Sequence, residues 1–330
     1  MTETAATWLL ALQQPWPLVE RPLDALARRL GTDEKTLAAF AEDLLAQGLV
    51  RRVGGVFDAR RLGYRSCLFA IDAKTPERLK AAAKAVCALP GVTHAYVRGW
   101  PKDFEAKGIC AADYANFPNL WYTLSALAES FDAEAAQLQS FAPIAFPATM
   151  RYKIDVVFDL RTRRRDERTE YAAPQALRPT TPFTPAQQAL VRRYQETPAN
   201  LAVPFRAEDL PQLRAWQADG TLRRFALLLR HRATGFTANG MCCWPVATDD
   251  LDRLGRRLAA ESDVTHCYAR PPNARFPFTL YAMIHKTSWL EGFETFRRLT
   301  RVAGLPGAGK VFFSTRELKK SSIPFFCEEN

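Results

Sequence analysis

The chain has 330 residues and a formal net charge of +10, with 48% hydrophobic and 24% charged residues. This length allows two domains or one duplicated unit, and no apolar run is long enough to span a membrane. The positive charge predicts an anionic partner, either nucleic acid, a membrane surface or a polycarboxylate small molecule. The N-terminus lacks a signal-peptide pattern and the seven cysteines form no CxxC pair, so we expect a cytoplasmic protein with reduced thiols.

Residues 1–62 are predicted to form a helix-turn-helix with a wing. One helical spacing of apolar residues ends at Gly31, a second ends at Gly48, and Leu49–Val53 predicts a short strand. A helix that enters a DNA groove should be basic. Between positions 33 and 48, however, there are four acidic residues and only one lysine, which gives a net charge of −3. Because phosphates would repel this helix, we do not expect DNA as a partner.

Residues 63–160 are predicted to form a ferredoxin-like βαββαβ unit. Its strands are expected at 66–71, 93–98, 119–124 and 151–158, and its helices at 76–89 and 132–141. Residues 161–182 are rich in Arg, Thr, Pro and Ala and show no apolar periodicity. This segment therefore predicts a linker between two halves.

The second half repeats the plan of the first. Arg223-Arg224-Phe225 matches Arg51-Arg52-Val53, Gly235-Phe236 matches Gly63-Tyr64, and His266 matches His94, all at an offset of 172. We therefore expect a second helix-turn-helix at 183–234 and a second ferredoxin-like domain at 235–330. The predicted fold class is α+β, a tandem duplication whose halves pair as a pseudo-dimer.

One six-residue motif occurs in both halves. Thr93-His94-Ala95-Tyr96-Val97-Arg98 returns as Thr265-His266-Cys267-Tyr268-Ala269-Arg270. Side chains alternate along a strand, so His, Tyr and Arg would line one face, with small or apolar residues on the other. A single copy would fit an ordinary sheet edge with half-exposed polar residues. Two copies in the same order favour two similar sites.

These motifs resemble known proteins. The helix-turn-helix followed by βαββαβ is similar to the Lrp/AsnC family of regulators. The specific stretches resemble the siroheme decarboxylase family, in its form with both lobes fused on one chain. They are 51–57, 62–64, 92–98, 119–124 and 152–160 in the first lobe, and 223–236, 264–270, 276–285 and 311–320 in the second. The resemblance covers nearly the whole chain.

The resemblance implies a carboxy-lyase. It would remove CO2 from the two acetate side chains, at C12 and C18, of siroheme to give 12,18-didecarboxysiroheme. That step belongs to the biosynthesis of heme d1, or of heme by the alternative pathway. Siroheme would be bound as substrate, with no further cofactor and no membrane partner. Homo-oligomers and handover to other tetrapyrrole-biosynthesis enzymes stay open.

Siroheme carries eight carboxylates, so a cationic pocket is expected. Arginine suits this task because its fork binds carboxylates and keeps its charge. The expected substrate-binding residues are Arg223, Arg224, Arg230, Arg232, Tyr268, Arg270, His94, Tyr96, Arg98 and Arg316, with Lys319 and Lys320 adding charge. An apolar wall for the macrocycle is expected from Trp121, Tyr122, Phe276 and Phe278, for which core packing is the alternative.

Decarboxylation also needs an acid, because loss of CO2 leaves negative charge on the methylene carbon. His is the natural acid near neutral pH, and the four histidines are His94, His231, His266 and His285. Since His231 has no counterpart in the first lobe, we expect His231 and His266 to act in one site of the second lobe. One would donate the proton and the other orient the substrate, in an order that stays open. Either residue is a candidate ligand of the siroheme iron.

Two other functions fit parts of this pattern. A ligand-sensing regulator of the Lrp/AsnC type explains the helix-turn-helix but requires basic recognition helices. A heme or siroheme carrier without turnover explains the histidines and arginines equally well.

Overall fold

The computed structural model describes residues 2–99, 117–154, 157, 181–230, 233 and 235–327. Its helices are α1 (Glu3–Gln13), α2 (Pro22–Leu30), α3 (Glu34–Ala46), α4 (Pro76–Ala88), α5 (Phe131–Ala136), α6 (Pro185–Gln195), α7 (Leu210–Ala218), α8 (Thr248–Ala259) and α9 (Trp289–Val302). Its strands are β1 (Val50–Phe57), β2 (Tyr64–Ile71), β3 (Val92–Gly99), β4 (Leu120–Leu127), β5 (Ile144–Phe146), β6 (Met150–Ile154), β7 (Leu222–Leu229), β8 (Ala238–Trp244), β9 (Val264–Ala269), β10 (Leu280–Lys286) and β11 (Lys310–Lys320). The predicted α+β duplication is confirmed. None of the described helices has the length and hydropathy that a membrane span requires.

Local sequence signals set the ends of the first helix pair. Helix α2 starts at Pro22, which suits a first helical turn, and stops at Gly31, whose φ of +66° favours glycine. Asp33 caps α3 by accepting a hydrogen bond from the Thr36 backbone N–H at 2.9 Å. The solvent face of α3 carries Glu42 and Asp43, both exposed.

The two wing strands pair with each other. Strands β1 and β7 form an antiparallel two-stranded sheet in which Gly54 lies opposite Ala226. These two positions differ by the repeat offset of 172, so a pseudo-two-fold axis passes between them. Apolar residues from the helices of both halves, together with Phe325, pack into one core around this sheet. Strand β1 extends beyond the predicted Leu49–Val53, because β7 of the second half pairs with it as far as Phe57.

The remaining described strands form one nine-stranded sheet with the order β5-β2-β4-β3-β11-β8-β10-β9-β6. It contains two ferredoxin-like sheets side by side, β5-β2-β4-β3 and β11-β8-β10-β9, each with its fourth strand beside its first. Strands β5 and β6 stand at opposite ends of this order, yet only residues 147–149 join them. Such a link spans at most about 14 Å, so the sheet curves until its two ends meet.

The last strand of each half crosses to the other half. The first residues of β11 pair with β8, but from Phe313 to Lys320 it pairs with β3. In the same way, β6 pairs with β9 of the second half. Each strand that carries a His-Tyr-Arg motif is therefore covered at its edge by a strand from the other half. This exchange satisfies backbone groups that an edge strand would leave open.

Two predicted elements differ in extent. The helix expected at 132–141 stops at Ala136, and a 3₁₀ turn at Gln139–Phe141 follows. The cause is tertiary, because Ala142, with φ of +50°, turns the chain into β5. The strand expected at 151–158 is described as β6 up to Ile154, and most of the predicted linker at 161–182 lies outside the described residues.

The strand exchange can be tested at Gly255 in α8. A Cβ at this position would overlap the ring of Tyr152, which comes from β6 of the first half. The ring cannot easily move, since its hydroxyl donates to the Leu251 carbonyl at 3.2 Å. We expect Gly255→Val to lower the free energy of unfolding in urea by about 1–3 kcal/mol. Gly307→Val is the control, because a Cβ there meets open space; equal losses in both variants would contradict this packing.

Candidate functional site

Both His-Tyr-Arg motifs lie on the inner face of the curved sheet. We call His94, Tyr96 and Arg98 the first row, and His266, Tyr268 and Arg270 the second row. The alternate residues belong to the cores beneath the helices, Ala95 on one side and Cys267 and Ala269 on the other. The rows therefore face the interior between the halves, where aromatic side chains from both halves form a further core.

The two rows have nearly the same geometry. The ring centroids of His and Tyr are 6.4 Å apart in each row. The guanidinium carbon of Arg98 lies 5.1 Å from the Tyr96 ring centroid, and that of Arg270 lies 5.0 Å from the Tyr268 centroid. These are cation–π distances. The prediction that each motif lines one face of a strand is confirmed.

A threonine orients each row's histidine. Nδ1 of His94 is 2.9 Å from the Thr93 hydroxyl, and Nδ1 of His266 is 3.0 Å from the Thr265 hydroxyl. His285 also contacts Thr265, with its Nδ1 at 3.2 Å from the same oxygen. These threonines begin the repeated motif, so sequence reasoning had the signal but did not assign them a role.

The first row is surrounded by cations from other strands. Lys320 is the strand neighbour of His94 in the sheet. Burial lowers the pKa of the Arg51 guanidinium, and the nearby charge of Arg230 lowers it further, while Tyr96 acts in the opposite direction. Burial lowers the pKa of His94 to about 3, and Lys320, Arg51 and Arg98 contribute. His94 is therefore a neutral imidazole at pH 7 in the protein without ligand.

The second row collects a different set of cations. Arg151 of β6 is the strand neighbour of Tyr268. Burial raises the pKa of the Tyr268 phenol, whereas Arg151, Arg270, Arg223 and Arg60 act to lower it, in that order. Burial wins, so this phenol stays protonated at neutral pH. A side-chain N–H of Arg223 donates to the Ile154 carbonyl, which places the wing sheet against the end of β6.

A buried carboxylate organises two of these cations. Asp58 and Arg60 are 5% and 7% exposed. Asp58 accepts hydrogen bonds from Arg60 Nε at 2.9 Å and from Arg151 Nη2 at 3.1 Å. Burial would raise the Asp58 pKa, but the two guanidiniums outweigh it and hold the pKa well below its usual range. Sequence reasoning missed all three residues, since only the exchange of β6 brings Arg151 to this place.

One predicted binding residue lies elsewhere. Arg316 is exposed, and its charge acts on Cys87 of α4, so it lies on the helix side of the sheet and not with the first row. The sequence does not show which face of a strand meets the interior, which is why Arg316 was grouped with the row. Arg224 stays a predicted binding residue.

Of the two histidines predicted to act in one site, His266 is among the described residues. His231 and Arg232 lie outside the described residues. The residue before them, Arg230, lies at the first row, where it acts on Arg51. His266 belongs to the second row.

The expected apolar wall proves to be core. Trp121, Phe276 and Phe278 are 1%, 0% and 3% exposed and belong to the core between the halves. Tyr122 stacks on Phe69 at 5.3 Å in the core beneath α4. This interior core lies on the same face as the rows and limits the access of water to them.

Both rows retain hydrogen-bond donors suited to an anion. The buried Nε atoms of Arg51, Arg151 and Arg270 make no hydrogen bond within the part of the chain that the structure describes. A buried N–H without an acceptor is costly, and a carboxylate would satisfy it.

A cleft of about 650 Å³ lies away from the rows, against Tyr194 and Phe205.

Comparison with known proteins gives a consistent answer. Residues 233–319 match the family of AsnC-like ligand binding domains. The siroheme decarboxylase of Hydrogenobacter thermophilus is 30% identical over 97% of this chain and 94% of its own length. The NirDL subunit of siroheme decarboxylase from Paracoccus denitrificans is also 30% identical, over 92% and 91%.

Solved structures agree with these relatives. A crystal structure of the siroheme decarboxylase NirDL superposes with a TM-score of 0.69 at 26% identity, covering 98% of this chain and 95% of that one. A crystal structure of NirDL in complex with an iron-uroporphyrin III analogue gives a TM-score of 0.68 at 27% identity, with the same coverage.

The environment of His94 predicts an unusual titration. We expect its imidazole resonance to stay that of the neutral form from pH 8 to pH 5, because the pKa lies near 3. The measurement is an NMR pH titration of histidine-labelled protein, with the signal assigned by its loss in His94→Asn. A midpoint near the ordinary value of 6.5 would contradict the burial of this ring among cations.

The same shift predicts how stability depends on pH. The unfolded chain takes up this proton near pH 6.5, whereas the folded protein does so only near pH 3. Falling pH therefore favours unfolding through that window. In urea denaturation, we expect the loss of stability between pH 7 and pH 5 to be smaller in His94→Asn than in the wild type.

Proposed function

This chain belongs to the siroheme decarboxylase family, and we propose that it removes CO2 from the C12 and C18 acetate side chains of siroheme, giving 12,18-didecarboxysiroheme. The observation that carries this proposal is the pair of His-Tyr-Arg rows on the inner face of the sheet, each with several cations around it. The iron enters with the substrate.

The cations account for binding of a substrate with many carboxylates. Around the first row stand Arg51, Arg98, Arg230 and Lys320, and around the second stand Arg60, Arg151, Arg223 and Arg270. Guanidiniums bind carboxylates through charge-assisted hydrogen bonds in a fixed geometry. In a site that excludes water, such pairs are stronger than at an exposed surface. An acidic tetrapyrrole would therefore fit between the halves better than a neutral one.

The chemistry divides into bond breaking and proton transfer. The bond between the acetate methylene and its carboxyl carbon breaks, CO2 leaves, and the electron pair stays on the methylene carbon. The conjugated macrocycle can take up part of this charge. A proton from the protein then completes a methyl group. No electrons are gained or lost overall, so we expect no redox cofactor.

The imidazole of the second row takes part in the proton transfer, either as the donor or as the group that orients the substrate. Thr265 holds Nδ1 of His266 and so orients the ring. Tyr268, whose pKa is raised, stays protonated and is placed to donate a hydrogen bond to a carboxylate. His231 stays a predicted partner, as proton donor or orienting group, and the iron ligand stays open between His231 and His266.

Substrate binding would change the protonation of the first row. Burial, together with the charges of Lys320, Arg51 and Arg98, lowers the pKa of His94 and keeps it neutral. Bound carboxylates would offset those cations and raise the pKa of this imidazole. His94 would then take up a proton more readily when the anionic substrate is present.

The main test of this proposal is turnover. Anaerobic siroheme incubated with the protein should lose two molecules of CO2 in succession, measured by mass spectrometry. We expect His266→Ala to slow this loss by about 100-fold or more while circular dichroism shows an intact fold. Unchanged turnover in the variant would refute the role of His266. Binding of siroheme by the wild type without loss of mass would identify a carrier and refute the proposal.

A second test addresses the helix-turn-helix. Glu42→Lys combined with Asp43→Lys reverses charge on the exposed face of α3. A surface change remote from the rows should alter stability by no more than about 0.5 kcal/mol, so we expect the rate of CO2 loss to stay within about 2-fold. A marked loss of turnover would show that this helix takes part in the reaction.

A further inference from the structure

The exchanged strands bring opposite charges to equivalent places in the two rows. In the second row, Tyr268 lies directly opposite Arg151 of β6. In the first row, Tyr96 lies directly opposite Glu317 of β11. Residues that face each other across antiparallel strands have Cβ atoms about 4.5–5.5 Å apart and share a face. Each tyrosine therefore has a charged neighbour on the inner face, positive in one row and negative in the other.

The equivalence of these two positions is supported by the strands around them. Both β6 and β11 have an irregularity in register two residues later, ending at Lys153 and Lys319. Lys153 donates to the Glu261 carbonyl at 2.8 Å, and Lys319 donates to the Leu89 carbonyl at 2.7 Å. Glu261 and Leu89 differ by the repeat offset of 172. Arg151 and Glu317 are therefore true counterparts.

Asp58 makes the second row different again. Its carboxylate, 5% exposed, holds both Arg60 and Arg151. At the offset of 172, the counterpart of Asp58 is Arg230, so the first row has a cation at that place. One carboxylate shared by two guanidiniums leaves a net positive charge. It also leaves the buried Nε of Arg151 without an acceptor among the described residues.

We infer that Arg151, held in place by Asp58, binds a carboxylate of the tetrapyrrole beside Tyr268. This inference rests on the proposed function and refines it. The first row has Glu317 in the equivalent place, so carboxylates bound there would contact other cations of that row. Arg151 acts as a specificity-determining residue, and Asp58 acts as its positioning residue.

The test compares two arginines that come from equivalent strands. Arg151→Met removes the cation beside Tyr268, and Arg316→Met removes an exposed cation of β11 that lies on the helix side. Binding of iron-uroporphyrin III is followed by its absorbance. We expect Arg151→Met to weaken binding by about 10- to 100-fold, which is the loss of a charge-assisted pair. Arg316→Met should stay within about 2-fold of the wild type.

A conservative variant separates position from charge. Arg151→Lys keeps the positive charge, so it serves as a second variant in case Arg151→Met does not fold. We expect a loss of binding between those of the wild type and Arg151→Met, because a lysine lacks the two-pronged guanidinium that binds a carboxylate. Asp58→Asn, the positioning variant, should raise KM for siroheme more than it lowers kcat. Asp58→Glu should recover part of that loss. A merely structural role would lower the folded fraction and leave KM unchanged.

The outcomes separate this inference from the proposed function. Binding within about 2-fold of the wild type in both Arg151 variants, or equal losses in Arg151→Met and Arg316→Met, would overturn the inference even if the wild type decarboxylates siroheme. Absence of CO2 loss by the wild type would overturn the proposed function, and the binding comparison would still decide the role of Arg151.

Discussion

The exchange of the last strands between the two halves is the constraint on which the site depends. Strand β6 covers β9, and β11 covers β3, so neither row-bearing strand is left at an open edge. The contacts are reciprocal. Arg98 donates to the Phe312 carbonyl of the second half at 3.4 Å, and Arg270 donates to the Phe146 carbonyl of the first. Each row therefore exists only when both halves are folded against each other.

This arrangement concentrates like charges where water is limited. Arg51 and Arg230 repel each other near Tyr96, and burial together with the charges of Lys320, Arg51 and Arg98 keeps His94 neutral. Such a cluster is unfavourable in the absence of an anion. Carboxylates of a bound ligand would offset this repulsion. The Asp58 carboxylate limits the repulsion at the second row and keeps Arg60 and Arg151 in defined positions.

The duplicated plan and the rows were predictable because they depend on short-range periodicity. Residues two apart on a strand share a face in any fold, which is why His94, Tyr96 and Arg98 were grouped correctly. The arginines were harder. Arg316 was expected to bind substrate but lies on the helix side of the sheet, whereas Arg60 and Arg151 were missed. No local sequence pattern shows which strands are neighbours in the sheet. The charged residues that strand pairing brings next to a row therefore cannot be predicted from the sequence.

The amino-acid sequence by itself determined the two halves, the helix and strand types, the positive charge and the His-Tyr-Arg composition of each row. Tertiary structure decided that β6 and β11 each pair with a strand of the other half. As a result, Arg151 lies beside Tyr268 and Glu317 lies beside Tyr96. The physical reason is the range of the interactions. Helix capping and strand alternation act within a few residues, while part of the field at each row comes from charges that are distant in the chain, such as Lys320 near His94 and Arg151 beside Tyr268.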